Sequence, residues 1–211
     1  MSVKSHLGEE ASAPSARSIE GYAMHANERS TPSLMSTVQV ENTLAYMGSL
    51  LSFPVPSGST GGGLAVLVAY ARPGSEPPPH VHHHEHEVYY LIEGEIDFFV
   101  EHENAVLRAG PGSVVFLPSG RAHALKFISP ARFLTVIHAL NGLEVTSEAY
   151  LRSMAIGPAT SLELPENAER YATIDPSAME AAVASAARHG VTFLQADEIT
   201  ARLPLMSSNA M

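Results

Sequence analysis

The chain contains no cysteine, so it has neither disulfides nor thiolate chemistry, and any metal it binds must be held by nitrogen and oxygen. That composition is expected of a cytoplasmic protein. Basic residues are also scarce, 12 Lys and Arg against 22 Asp and Glu for a net charge of −10. A nucleic-acid partner is not expected, because phosphate recognition rests on a surplus of cations. No apolar run approaches the length of a membrane span, and Met1–Ser18 has no apolar core of the signal-peptide kind, so neither a membrane nor export is expected. Three consecutive glycines at Gly61–Gly63 are not followed by Gly-Lys-Ser/Thr or by a helical pattern, which makes them rim-loop material and not a phosphate loop. Internal repeats are absent, and between residues 64 and 140 there is no convincing 3.6-residue periodicity.

That middle region is instead a series of short β-prone runs. Residues 64–71, 87–92, 96–101, 105–109, 113–118, 123–128 and 132–140 are apolar or alternating, and Gly-, Pro- or Asn-containing turns separate them. Strands with turn signals every eight to twelve residues, roughly, indicate a sandwich or barrel and not βαβ units. Ahead of them, residues 1–35 are rich in Ser, Ala, Glu and Pro and are expected to be a flexible or loosely docked N-terminal arm. Residues 36–142 are expected to form the β-barrel domain, and residues 143–211 a helical extension that packs on it or lids it. In the extension, residues 147–156 suit a short helix. Asp175 as N-cap, Pro176 at the first helical position and Gly190 as the stop predict a second.

The densest chemistry lies between Gly74 and Gly94, where five histidines and four glutamates fall within 21 residues. Imidazole and carboxylate without thiol, on a β framework, is the composition of an open metal site. His80 and His82 are two apart on an extended segment and so point to one face. Glu87 has the other parity, and a bulge in the intervening residues would bring it round to that face. His123, just after a Gly-containing turn, is the candidate fourth ligand. Three imidazoles and one carboxylate leave ligand positions open on the ion, as catalysis requires. His83, His84, His86 and Glu85 are expected on the turn and in solvent. Tyr70, Tyr89, Phe116, Leu125, Phe127 and His138 are the candidate pocket residues among the apolar strands.

These residues carry a resemblance. Gly74, His80, His82, Glu87 and Gly94 fit G-x5-H-x-H-x4-E-x6-G. Gly112, Pro118, Gly120 and His123 fit G-x5-P-x-G-x2-H-x3-N, with Phe127 where Asn is usual. These are the two motifs of the cupin superfamily, and the chain resembles the single-domain bacterial cupins described as quercetin 2,3-dioxygenase-like. The resemblance implies an all-β jelly-roll barrel and a homodimer. It also implies one divalent ion per chain (Fe, Ni, Mn, Co, Cu or Zn) on His80, His82, Glu87 and His123. The expected activity is that of a metal-dependent oxidoreductase, a dioxygenase using O2 on a hydrophobic, aromatic or enolisable small molecule, with Glu87 as ligand, catalytic base or both. The alternatives are a non-redox isomerase, epimerase, cyclase or lyase using the ion as Lewis acid, and a small-molecule-binding cupin without turnover. Phe127 in place of Asn would make the pocket more apolar.

Overall fold

A computed structural model describes residues 33–208, which fall in one compact unit spanning 31–211. The arm expected over residues 1–35 lies almost wholly outside the described residues. Two antiparallel sheets face each other. The larger has seven strands: β1 (Thr43–Tyr46), β2 (Ser49–Val55), β3 (Leu64–Ala71), β5 (Glu85–Glu93), β8 (Val114–Leu117), β10 (Ala131–Ala139) and β11 (Gly157–Pro158), in the order β11-β1-β2-β3-β10-β5-β8. The smaller has five: β4 (His80–His82), β6 (Ile96–Val100), β7 (Leu107–Ala109), β9 (His123–Phe127) and β12 (Val191–Phe193), in the order β12-β4-β9-β6-β7. The protein is a jelly-roll barrel with C-terminal helices.

Strand alternation builds the interior. Along β3, Ala65, Leu67, Ala69 and Ala71 are buried while the residues between them are half-exposed. Along β10, Ala131, Phe133, Thr135, Ile137 and Ala139 turn inward. This is the period-two signature of a sheet with one face on the core. Small residues from β3 opposite Phe127 and Phe133, whose rings stack at 6.0 Å, leave space inside the barrel that larger aliphatic side chains would fill.

Gly94 makes the turn from β5 in one sheet to β6 in the other. Its φ is 83°, and a Cβ built there would lie 2.2 Å from the carbonyl oxygen of Pro130. Only glycine fits so close a backbone approach.

The C-terminal region is more than a helical extension, because it adds a strand to each sheet. β11 pairs with β1, and β12 pairs with β4 so that Phe193 lies opposite His80. Its helices are α1 (Ser147–Ser153), α2 (Pro176–Arg188), α3 (Ala196–Arg202) and α4 (Pro204–Ser208). The Asp175 carboxylate caps α2 by accepting from the backbone N–H of Ser177 at 2.8 Å and of Ala178 at 3.3 Å, which satisfies two of the N–H groups that a helix start leaves unpaired. Among the described residues no helix is long and apolar enough to cross a membrane.

Candidate metal centre

Three strands bring the four polar residues together. β4 and β9 pair so that His80 and His123 are directly opposite, and His82 lies two residues further along β4 on the same face. Glu87 comes from the facing sheet. The expected bulge is not what turns it inward: the chain leaves the smaller sheet after His82, bends through His83–His84 and enters the larger sheet at Glu85. A change of sheet resets the parity completely. His80, His82, Glu87 and His123 are all buried, and one ligand atom from each lies within 4.8 Å of the others.

The hydrogen bonds around the rings fix what these atoms can do. Carbonyl oxygens only accept, so His80 Nδ1 donates to Pro78 O at 2.8 Å and His123 Nδ1 donates to Arg121 O at 3.2 Å. In the neutral rings both Nε2 atoms are then lone pairs, yet they face each other at 3.1 Å. Two lone pairs at that distance repel unless a cation lies between them. The spacing is that of two ligands at about 90° on one ion with bonds of about 2.1 Å. Glu87 Oε2 is 3.6 Å from His82 Nε2 and 3.5 Å from His123 Nε2, and it is buried without a hydrogen-bond partner. Such an orphan costs about 1–3 kcal/mol or more, and an ion would satisfy it. The donor set therefore fits a divalent metal.

Burial lowers the His80 pKa, and the neighbouring His123 and His82 lower it further, which keeps the ring neutral and able to ligate. Burial alone would raise the Glu87 carboxyl, but the imidazoles of His82, His123 and His80 hold it at about 2. His82 differs from the other two imidazoles because its Nδ1 faces the Glu85 carboxylate at 3.2 Å. Despite burial, the carboxylates of Glu87 and Glu85 raise its pKa.

Glu85 corrects the sequence reading, which put it in solvent. It is 2% exposed, and it accepts from His82, from the backbone N–H groups of Thr146 and Ser147 and from the Thr146 hydroxyl. It thus orients His82 and anchors the start of α1. The change of sheet that turns Glu87 inward also turns Glu85 inward, two residues earlier on the same face. His83 and His84 are exposed, and His86 is half-buried and accepts from Ser119 N at 2.8 Å. None of the three joins the ligand group.

A cavity of about 100 Å3 adjoins the histidines. Of the expected pocket residues, Tyr89, Leu125 and Phe127 line it. Tyr70, Phe116 and His138 do not: each falls on the outward parity of its strand. Phe116 is 54% exposed while its neighbours Val115 and Leu117 are buried. His138 is exposed beside inward Ile137, and Tyr70 lies outside with Arg132 stacked 5.0 Å above its ring. The sequence reading missed Phe133 and Thr135, the inward residues of β10, and Tyr46, Tyr150 and Phe193 from the flanking segments. The alternation of β10 could have revealed the first two. No local signal marks the other three.

The fold and site define the class: residues 67–137 match the cupin domain family, and this part of the chain belongs to the cupin superfamily. A relative of known name is the dimethylsulfoniopropionate lyase DddQ of Ruegeria pomeroyi, 41% identical over 63 residues. That match spans 30% of this chain and 30% of the relative's length. Similar solved structures include the polyketide cyclase RemF from Streptomyces resistomycificus (20% identity, 56% of this chain and 94% of that one, TM-score 0.41). Others are KdgF from Halomonas sp. (16%, 44% and 82%, 0.38) and the cupin domain of Cnp3 from Schizosaccharomyces pombe (16%, 46% and 64%, 0.38).

Proposed function

We propose that the chain is a metal-dependent enzyme that moves a proton on a compact molecule bound through oxygen, as a lyase or isomerase does. The observation that carries this reading is the division of labour on Glu87. Its Oε2 faces the histidines, and its Oε1 takes a long contact of 3.5 Å from the Tyr89 hydroxyl. When bound to His80, His82, Glu87 and His123, a divalent ion supplies Lewis-acid polarisation of an oxygen on the bound molecule. A carboxylate held at about 2 is a poor proton acceptor. Glu87 is therefore better read as a ligand that also orients Tyr89 than as the catalytic base. Burial raises the Tyr89 pKa well above the usual phenol value, and the Glu87 charge raises it further. Tyr89 thus holds its proton at neutral pH and can donate it to the oxygen of the bound molecule. The C–H proton passes to a solvent water entering the cavity, so that proton loss and gain balance. The size supports a compact molecule: about 100 Å3 is less than the roughly 150 Å3 cavity that takes up benzene, and far less than a flavonol needs. The lyase name of the partial relative points the same way.

Dioxygenase chemistry is the second reading, favoured by the apolar wall of Leu125, Phe127 and Phe133 around the site, into which O2 partitions. One experiment separates the two. Elemental analysis should find one divalent ion per chain. The loaded protein should accelerate hydrogen–deuterium exchange next to the carbonyl of cyclopentanone, in D2O and without oxygen. The Tyr89→Phe variant should retain metal and lose about 100-fold or more of that rate. Exchange equal to the uncatalysed rate, or turnover that stops when oxygen is excluded, overturns the non-redox reading.

The same reading takes the protein as a homodimer. Tyr90 and Ile92 on β5 and Val114 and Phe116 on β8 make an exposed apolar strip, between 39% and 64% accessible, at the edge of the larger sheet. A second copy covers it in this proposal. Light scattering should report a dimer that Phe116→Glu converts to monomer with metal content unchanged; a monomeric wild-type chain refutes it.

A further inference from the structure

Three tyrosine hydroxyls meet inside the molecule from segments far apart in the chain. Tyr46 ends β1, Tyr150 is in α1, and Tyr171 opens a single 3-10 turn, Tyr171–Thr173. All three are buried. The Tyr171 oxygen is 2.5 Å from that of Tyr46 and 2.8 Å from that of Tyr150. Tyr46 and Tyr150 line the cavity beside the metal centre. The Phe193 ring is a neighbour of His80 at 6.0 Å, of Tyr150 at 6.2 Å and of Tyr171 at 6.5 Å, so one aromatic ring links the two groups.

Counting protons shows what the trio offers. Three hydroxyls carry three protons, and the two contacts among them use two. In either head-to-tail order through Tyr171 the spare O–H falls on Tyr46 or Tyr150, the two that line the cavity. Burial raises all three pKa values above the ordinary phenol range, so the groups are donors and not anions at neutral pH. Among the described residues no lysine or arginine lines the cavity. A carboxylate at the trio would lose its hydration with no cationic side chain beside it, whereas a neutral carbonyl oxygen is compensated by the one hydrogen bond the trio donates.

We propose that the hydroxyls of Tyr46, Tyr150 and Tyr171 form a recognition point for a neutral carbonyl-type oxygen of the substrate, separate from the oxygen that the metal takes. The substrate class is then a compact molecule with two oxygen functions and an apolar span between them. This deepens the proposed function and rests on the cavity being its substrate site. The residues concerned all lie outside the 67–137 segment that matches the cupin domain. The flanks therefore set specificity while the cupin segment holds the ion.

The test compares cyclopentanone with cyclopentane, which differ by the acceptor alone, on the full chain after metal removal with a chelator, so that the ion takes no part. The wild type should prefer the ketone about tenfold, the worth of one hydrogen bond. Tyr150→Phe and Tyr46→Phe should each reduce that preference, and the triple Phe variant should abolish it. Because the chain has no tryptophan, its tyrosine absorption band is unobscured, and ketone binding to the wild type should shift it to the red. That measurement needs no variant to fold. An unchanged preference in folded Phe variants, or no spectral shift on binding, overturns the proposal. Either result would leave metal loading and ketone exchange by Tyr89 untouched, so it is distinguishable from a failure of the proposed function.

Discussion

His80, His82 and Glu87 of the candidate metal centre and Tyr46 and Tyr150 of the tyrosine trio line one cavity, but the two groups come from different parts of the chain. His80, His82, Glu87 and His123 all lie within residues 67–137, on strands joined by short turns. Tyr46 and Tyr171 are 125 residues apart, and they meet only because β11, β12 and α1 fold back over the barrel. A centre assembled by neighbouring strands leaves a spacing pattern in the sequence. A subsite assembled by long-range closure leaves none. The difference also suggests separate roles, with the ion and its chemistry set by the barrel and the choice of molecule set by what is wrapped around it.

Glu85 is one place where the two parts touch, and changing it is the strongest way to break the comparison. Its carboxylate orients His82 on one side and receives the backbone of Thr146 and Ser147 on the other. In Glu85→Gln the negative charge behind His82 disappears, and an amide N–H2 group competes to face Nδ1–H. Metal affinity should fall about 10–100-fold, as it does when a carboxylate behind a ligating histidine is lost. A competition titration with a chromogenic chelator would measure it. Tyr150→Phe, on the other side of the comparison, should leave metal affinity unchanged. Equal losses in both variants would mean that centre and flank are one unit.

The same contrast explains what could be read from the sequence. Seven of the central strands, the α2 helix with its Asp175 cap, and the grouping of His80, His82, Glu87 and His123 were legible, because each depends on periodicity, on a turn or on a short spacing. Glu85 was not, because reading His83–His86 as one exposed turn hides the change of sheet that carries Glu85 inside. Tyr70, Phe116 and His138 failed for a related reason. An apolar or aromatic side chain on a β-strand looks the same whether it faces the core or a covered outer surface, and only the register of β3, β8 and β10 tells them apart. Strand β2 carries Pro54, which donates no ladder hydrogen bond and weakens the strand signal. Strands β4, β11 and β12, two or three residues long, are too short for any periodic signal.

The smallest expected effect tests how firmly the flank is tied to the barrel away from the cavity. Arg202 in α3 donates to Glu101 through two bonds of 2.8 Å, and the same carboxylate receives the backbone N–H of Ala122, the residue before His123, at 2.9 Å. Hydrogen bonds from Arg202 hold the Glu101 carboxyl at about 2 instead of the ordinary 4.5. Because the folded value is depressed, the contribution to stability is fully present above about pH 4.5 and is lost as the pH falls towards 2. Glu101→Gln should therefore cost about 1 kcal/mol at pH 7, the upper end for an accessible ion pair. Urea unfolding of both proteins at pH 7 and again near pH 3 measures it, and the gap between them should narrow at the lower pH. If the gap stays the same, the charge on Glu101 is not what joins α3 to the barrel, and the Ala122 hydrogen bond, which the amide oxygen of Gln retains, would be the tie that matters.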